Sequence, residues 1–387
     1  MSKILIVVTD TNVGGVTTAV YNFINELCKR DNDVTFLDFS AKRENPNIHK
    51  QAQQIFLKGK ERYWKLGKEN VAGAPLIKKP LLLLLGILKK FTIKGGLWNK
   101  LIFSKLDGDY DVAIAYRQCA PCYSFVLNKV NAKKKIGFVH GDVDYMGDIS
   151  SWQPMMTRFN KISYVSNAVK EGFIKKYPEL RKNACTIYNM VNIERIQELA
   201  QEKNDYCLDK NVFNIVTVSR ISNEEKRIDW IPKICKETVK REIRNFHWYI
   251  IGDGNDLQKN IELSIELGVD SYITFVGKTD NPYNIMCKAN VFVLPTRNES
   301  YGLAVVESLI LGVPVVVCRY PAVGEVFENK KYGFVAEQNI ENVTDKIQLF
   351  LKDIDTYNQI KKNCENYAFS NDLSYNQFLE AVRDEER

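Results

Sequence analysis

Histidine is scarce in this 387-residue chain, which holds only His49, His140 and His247. Three imidazoles give little to the paired acid and histidine chemistry of sugar-nucleotide epimerases, and none is placed to complete a zinc site with Cys119 and Cys122, the one CxxC pair. Those two thiols are read as structural. No secretory leader is expected either, since the apolar run Ile4 to Val8 after Met1-Ser2-Lys3 is too short for one. It reads as a buried first strand, and a cytoplasmic chain is expected. The nine cysteines are an odd number, scattered rather than set in a dense framework, which argues against a disulfide-stapled fold. A dinucleotide fingerprint is incomplete: Gly252-Asp253-Gly254 follows the strand-like HWYII, but Leu257 stands where a third glycine belongs. No tandem repeat or long low-complexity tract occurs. Acids are nearly absent between Lys50 and Lys105, where Glu61 and Glu69 face many lysines within a chain of net charge +7.

What is present is a soluble composition, 45% hydrophobic and 26% charged, on a chain long enough for two domains. Apolar, β-branched runs alternate with helical patterns throughout: Ile4–Val8, Val34–Asp38, Val112–Ala115, Lys135–Val139 and Ile162–Val165, then Ile215–Ser219, Trp248–Ile251, Ile273–Val276, Val291–Leu294 and Val313–Val317. Such strands, apolar on both faces, predict α/β architecture: two doubly wound, Rossmann-like domains facing a central cleft, with ligands beyond the carboxyl ends of the strands. The rhythm breaks in the polar stretch Glu202–Asn214. The expected division is therefore residues 1–205 for an acceptor-binding domain, 206–365 for a donor-binding domain, and 366–387 for a terminal helix packing back on the first.

Several segments carry chemistry. Gly14 and Gly15 lie between the first strand and an amphipathic helix running to Lys29, where backbone N–H groups can approach a phosphate or sugar. After FNIVTVS come Arg220 and Lys226, six positions apart, with Glu224 and Glu225 just ahead of the lysine. Two cations at the mouth of a parallel strand can neutralise a diphosphate, although surface pairing with the two acids is the plainer reading. The strongest signal is VFVLPTRNESYGLAVVESLILGVPVVV. Glu299 and Glu307 stand eight apart, about two helical turns, and Ser300-Tyr301-Gly302-Leu303 is expected to open a helix whose free N–H groups meet a phosphate. A carboxylate at Glu307, amid apolar neighbours, is costly unless bonded, and two vicinal ribose hydroxyls would bond it.

Together, Glu299-x7-Glu307, Arg220 with Lys226, the Gly14-Gly15 loop, His140 in GFVHGD, Asn189 in IYNMVN and Gly252-Asp253-Gly254 resemble the retaining glycosyltransferases of family 4, of GT-B fold. The resemblance covers nearly the whole chain. It implies transfer of a sugar from a nucleoside diphosphate sugar, a UDP-sugar foremost, with retention and without cofactor or metal. It also implies that Arg220 and Lys226 hold the diphosphate, Tyr301 to Leu303 the distal phosphate and Glu307 the ribose. Glu299 would contact the donor sugar, and His140 would face that sugar from the N-terminal side. Gly14, Gly15, Gly252 and Ser300 complete the expected donor site. Asn192 departs from the family's usual Asp, and Arg297-Asn298 from its usual small or acidic residues, so the sugar cannot be carried over. Hexosyl and N-acetylhexosaminyl transfer both remain open.

Asp142-Val143-Asp144 is a DxD string, but such strings recur in the chain, as at Asp31, Asp107 and Asp353, so no metal is expected. The acceptor is expected to be a glycan, lipid-linked or protein hydroxyl used in bacterial surface polysaccharide or glycoconjugate synthesis. The apolar and basic stretch with Lys78, Lys79, Leu81–Leu88, Lys89, Lys90 and Trp98 suits peripheral contact with an anionic membrane on its inner face, or an ordinary core helix with a basic outer side. Nucleic acid is not expected, because aromatic residues are not interleaved with the lysines in a binding pattern. Two rival readings keep the same scaffold: a non-catalytic partner subunit, against which the intact Arg220, Lys226, Glu299 and Glu307 speak, and an epimerase.

Overall fold

The computed structural model describes residues 1–11, 14–57, 102–203 and 208–383. Most of the basic Lys58–Lys105 stretch, with Leu81–Leu88 and Trp98, lies outside the described residues. The chain forms two compact units, Met1–Met190 with Asn371–Arg387, and Val191–Ser370.

In the first unit, β1 (Lys3–Val8), β2 (Asp33–Asp38), β3 (Gln53–Phe56), β4 (Asp109–Ala115), β5 (Asn131–Val139), β6 (Lys161–Tyr164) and β7 (Ala184–Thr186) form one sheet in the order β3-β2-β1-β4-β5-β6-β7. Every pairing is parallel. The second unit repeats the plan with β8 (Phe213–Val218), β9 (Phe246–Ile251), β10 (Ile273–Gly277), β11 (Val291–Leu294), β12 (Val315–Cys318) and β13 (Gly333–Ala336), in the order β10-β9-β8-β11-β12-β13, again all parallel. Central strands of this kind are covered on both faces, and that is why Ile4 to Val8 and Val291 to Leu294 are apolar at every position and buried throughout.

Strand order reverses between β1 and β4 in one sheet and between β8 and β11 in the other, which opens a crevice at each carboxyl edge. Short polar side chains start the helices that return the chain. Ser166, Asn192, Asn339 and Asp353 each accept a bond from the backbone N–H three residues on. Asn192 thus supplies the cap that an Asp would supply. The second sheet is pinned by a buried relay: Trp248 Nε1 donates to Thr217 Oγ1 at 3.0 Å, and that hydroxyl donates to the Val293 carbonyl at 2.6 Å. Three strands are thereby tied together just short of the edge that carries the site.

Three strands differ from the sequence expectation: β3, β7 and β13 were not anticipated, and all three are short edge strands. The strand expected at Val313 begins at Val315, after Pro314, which has no N–H to give to a ladder. The helix Ile193–Gln201 lies in the second unit, where it packs against the helices Tyr283–Met286 and Leu303–Ile310. The last helix, Asp372–Val382, lies in the first unit. Phe378 meets Phe23 edge-on at 5.6 Å, Arg30 pairs with Asp372 at 2.6 Å, and Asn371 donates to Glu26 at 2.9 Å.

Candidate functional site

The second unit builds its carboxyl edge from three interlocked loops. After β8 the chain passes Ser219, Arg220 and Ile221, and Ser222 caps the one-turn helix Asn223–Lys226. After β9, Gly252 has φ +147°, and a Cβ there would run into the Ser219 carbonyl oxygen; a Cβ on Gly254 would run into that of Ile221. Only glycine lets these two loops touch. The Ile221 N–H donates to the Asp253 carbonyl at 2.9 Å, which seals the contact. The loop after β11 is then stapled to the first: the Glu225 carbonyl accepts from Arg297 N–H at 2.9 Å and from the buried Thr296 hydroxyl at 3.2 Å.

These staples bring Lys226 and Glu299 together. Their ion pair closes at 2.5 Å with both side chains mostly covered, at 16% and 18% exposure. Such a pair is screened far less than one in open solvent. Arg220, by contrast, is well exposed and pairs with Glu225. The plainer surface reading thus holds for Arg220 and Glu225, whereas Lys226 turns inward.

The helix expected to open within Ser300-Tyr301-Gly302-Leu303 does so at Leu303. Gly302 has φ +98°, a left-handed conformation that no right-handed helix contains, and the helix runs over Leu303–Ile310. Glu299, Ser300 and Tyr301 therefore lie on the loop ahead of it. Tyr301 is buried, and its carbonyl accepts from the Tyr320 hydroxyl at 3.2 Å. A Cβ on Gly302 would strike that same hydroxyl, so Tyr320 fixes the approach to the helix start. There the first N–H groups of an α-helix lack intrahelical partners and favour an anion.

Glu307 lies one turn further in and is only 7% exposed. Burial raises its pKa to about 7, against which the one bond from the Tyr283 hydroxyl, 3.1 Å, acts only weakly. Near neutrality the side chain is shared between acid and carboxylate forms. Tyr283, half-buried at the start of the helix Tyr283–Met286, and Thr296 are site residues that the sequence did not flag. Each acts through long-range packing, and neither belongs to a local pattern.

His140, Gly14 and Gly15 lie in the first unit. His140 follows β5, and its Nε2 is 2.7 Å from the Tyr116 carbonyl, so Nε2 carries the proton and donates. Tyr116 and Phe138 flank the ring, and burial lowers its pKa to about 4, which keeps it neutral. Gly14 precedes the helix Gly15–Lys29, and a Cβ at either glycine would meet nothing within 4 Å. Cys119 and Cys122 are free thiols pushed up by burial, and Cys122 donates to the Val7 carbonyl at 3.2 Å. Asp142 accepts from the Asp144 N–H at 3.0 Å, which closes the DxD string into a local turn. Among the described residues no helix is long and apolar enough to cross a membrane.

The two parallel-sheet, Rossmann-like units are those of the GT-B glycosyltransferase fold. A TarM mutant of S. aureus, in complex with fondaparinux, alpha-GlcNAc-glycerol and UDP, superposes with a TM-score of 0.72 at 16% identity, covering 99% of this chain and 100% of that one. HepE of Anabaena, in complex with UDP and glucose, gives 0.68 at 16% identity, with 99% of each chain covered. More particularly, residues 200–367 match the model of the family described as glycosyl transferases group 1. The N-acetyl-alpha-D-glucosaminyl L-malate synthase of Bacillus anthracis is 24% identical over 228 residues, 57% of this chain and 59% of that protein. The O-antigen biosynthesis glycosyltransferase WclY of Escherichia coli is 26% identical over 183 residues, 46% of this chain and 48% of that protein. The chain thus spans about half to two-thirds of the length of the curated relatives it matches.

Proposed function

We propose that the chain is a retaining glycosyltransferase of family 4 that moves a hexosyl or N-acetylhexosaminyl unit from a nucleoside diphosphate sugar, a UDP-sugar, to a hydroxyl acceptor. The observation that carries this reading is the covered Lys226–Glu299 pair beside the helix start at Gly302 and Leu303, at the point where strand order reverses. A diphosphate brings more negative charge to Lys226 than one carboxylate does, so donor binding exchanges partners. Lys226 and the helix N-terminus take the phosphates, Arg220 leaves Glu225 to join them, and Glu299 is released to accept from hydroxyls of the donor sugar. Ribose hydroxyls donate to Glu307. His140, neutral and with its one proton given to the Tyr116 carbonyl, is the first unit's residue assigned to the sugar, where Nδ1 accepts from a hydroxyl, and Gly14 and Gly15 are assigned to the donor as well.

In the reaction the acceptor oxygen bonds to the anomeric carbon on the face from which the diphosphate departs. The bond from that carbon to the phosphate oxygen breaks with its electron pair, and the leaving phosphate takes the acceptor's proton. The cations stabilise the developing charge, so no protein base is needed. The family match over residues 200–367 and the UDP complexes of similar folds support this reading. The similarity to an O-antigen enzyme supports a role in bacterial surface polysaccharide or glycoconjugate synthesis.

The test is a thermal-shift screen of nucleotide sugars, where only a bound donor raises the melting point by mass action. The donor so found is then used in a transfer assay with NMR of the product. An α-linked product from an α-linked donor, formed equally with and without chelator, is expected. Inversion, or activity lost to chelator and restored by magnesium, overturns the mechanism.

A further inference from the structure

The first unit holds a cavity of about 640 Å³ at the carboxyl ends of β1, β2 and β3, lined by Thr11, Phe36, Asp38, the 40–46 loop, Gln54, Ile55 and Phe56. Its size is that of a site for a small ligand. The wall is built independently of any ligand. Asp38, only 2% exposed, accepts from Thr11 Oγ1 at 2.6 Å and from the Ser40 N–H and hydroxyl at 2.7 and 2.8 Å. Across the loop, the Asn45 N–H donates to Gln54 Oε1 at 2.8 Å, Gln54 Nε2 returns a bond to the Asn45 carbonyl at 3.0 Å, and Asn45 Nδ2 donates to the Tyr21 hydroxyl at 2.5 Å.

With those groups committed to the wall, the charged side chains at the rim stand apart. Lys42, Arg43 and Glu44 are exposed and have no hydrogen bond or ion pair among the described residues. Two adjacent cations at the rim of a cavity whose lining includes Phe36, Ile55 and Phe56 suit a ring with one apolar face and an anionic substituent. Glu44 is left to accept from ring hydroxyls. We propose that this cavity is an acceptor subsite for a sugar carrying a phosphate or carboxylate group, with Lys42 and Arg43 binding the anion. The assignment rests on the glycosyltransferase reading and names its acceptor class.

Glucose 1-phosphate, glucuronic acid and glucose, added singly to the full chain and followed by saturation-transfer NMR, test it. The two anionic sugars should bind about tenfold more tightly than glucose, the sum expected of two exposed charge contacts, and the advantage should fade at high salt. The substitutions Lys42→Ser with Arg43→Ser, on an exposed loop, should remove that advantage while leaving the melting curve and UDP affinity unchanged. Binding of the phosphate sugar but not the uronate, or the reverse, identifies the anion. Equal binding of glucose, binding of none of the three, or full binding by the double variant overturns the subsite. Absence of UDP binding by the unaltered chain would instead sink the transferase reading, and the two failures are told apart in one set of samples.

Discussion

Each unit places an ion pair across the point where its strand order reverses, but with the charges exchanged. In the second unit the cation, Lys226, comes from the β8 loop and the acid, Glu299, from the β11 loop. In the first, the acid is Asp10 after β1 and the cation is Arg117 after β4, 2.9 Å apart, and Arg117 also donates to the Asp10 carbonyl at 3.2 Å. The surroundings differ more than the pairs. Lys226 lies beside a helix start and loops that only glycine allows to touch, whereas Gly14 and Gly15 in the first unit have open space around them. The buried titratable groups diverge too: Glu307 is pushed up to about 7 and His140 down to about 4, both toward neutrality. One folding plan thus sets a carboxyl with a raised pKa one turn inside a helix start in one unit and a neutral imidazole among aromatic rings in the other.

The largest expected contrast is between glycines. Gly252→Ala must displace the Ser219 carbonyl and hold alanine at φ +147°, and should cost about 4 kcal/mol or more. Gly15→Ala, in a helical position with nothing within 4 Å, should stabilise by about 0.5 kcal/mol. Denaturant melts of the two variants measure both, and similar losses would erase the distinction between the two edges.

Next in size is an opposition in pH response. Glu307 has a folded pKa raised above its ordinary 4.5, so its contribution is fully present below about 4.5 and is lost as pH rises through about 7, a change of about 3 kcal/mol. His140 has a folded pKa depressed below 6.5, so its contribution is present above 6.5 and is lost as pH falls toward 4, by about 2–3 kcal/mol. Glu307→Gln should therefore flatten the loss of stability between pH 5 and 8, and His140→Asn the loss between pH 6.5 and 4. Melting curves across that range in which either variant keeps the parent's slope would refute the assignment.

The smallest effect concerns binding. Lys226→Ala should weaken UDP affinity by about 1.5–3 kcal/mol, the range for bonds to charged groups, while Arg117→Ala should leave it unchanged. Calorimetry decides. Equal losses would place the nucleotide elsewhere than on the second unit's edge.

Much of this was legible in the chain. Ten strands announced themselves as largely apolar runs, because burial on both faces admits few polar positions, among them Thr35, Ser163 and Thr217. Gln53–Phe56, Ala184–Thr186 and Gly333–Ala336 did not, since a strand of three or four residues at a sheet edge carries too little pattern. Arg220, Lys226, Glu299 and Glu307 could be picked out by charge at strand ends, yet their partners could not: only folding shows that Lys226 takes Glu299 and Arg220 takes Glu225. The helix start could be placed only within residues 300–303, because the left-handed backbone at Gly302 leaves no mark in hydrophobic period. Tyr283 reaches Glu307 across 24 positions, a distance over which sequence patterns carry no register.

The return of the helix Asp372–Val382 to the first unit makes that unit discontinuous, with Val191–Ser370 lying between its parts. A chain growing from its amino terminus therefore finishes the second unit before the first has received its last helix. Until then Phe23 lacks its edge-on partner Phe378, and Glu26 and Arg30 lack Asn371 and Asp372. The nascent chain thus carries the helix Gly15–Lys29 without these partners throughout translation of the second unit. The completed order of assembly is the reverse of the order of synthesis, and a nonsense change near Asn371 would damage the unit made first rather than the one made last.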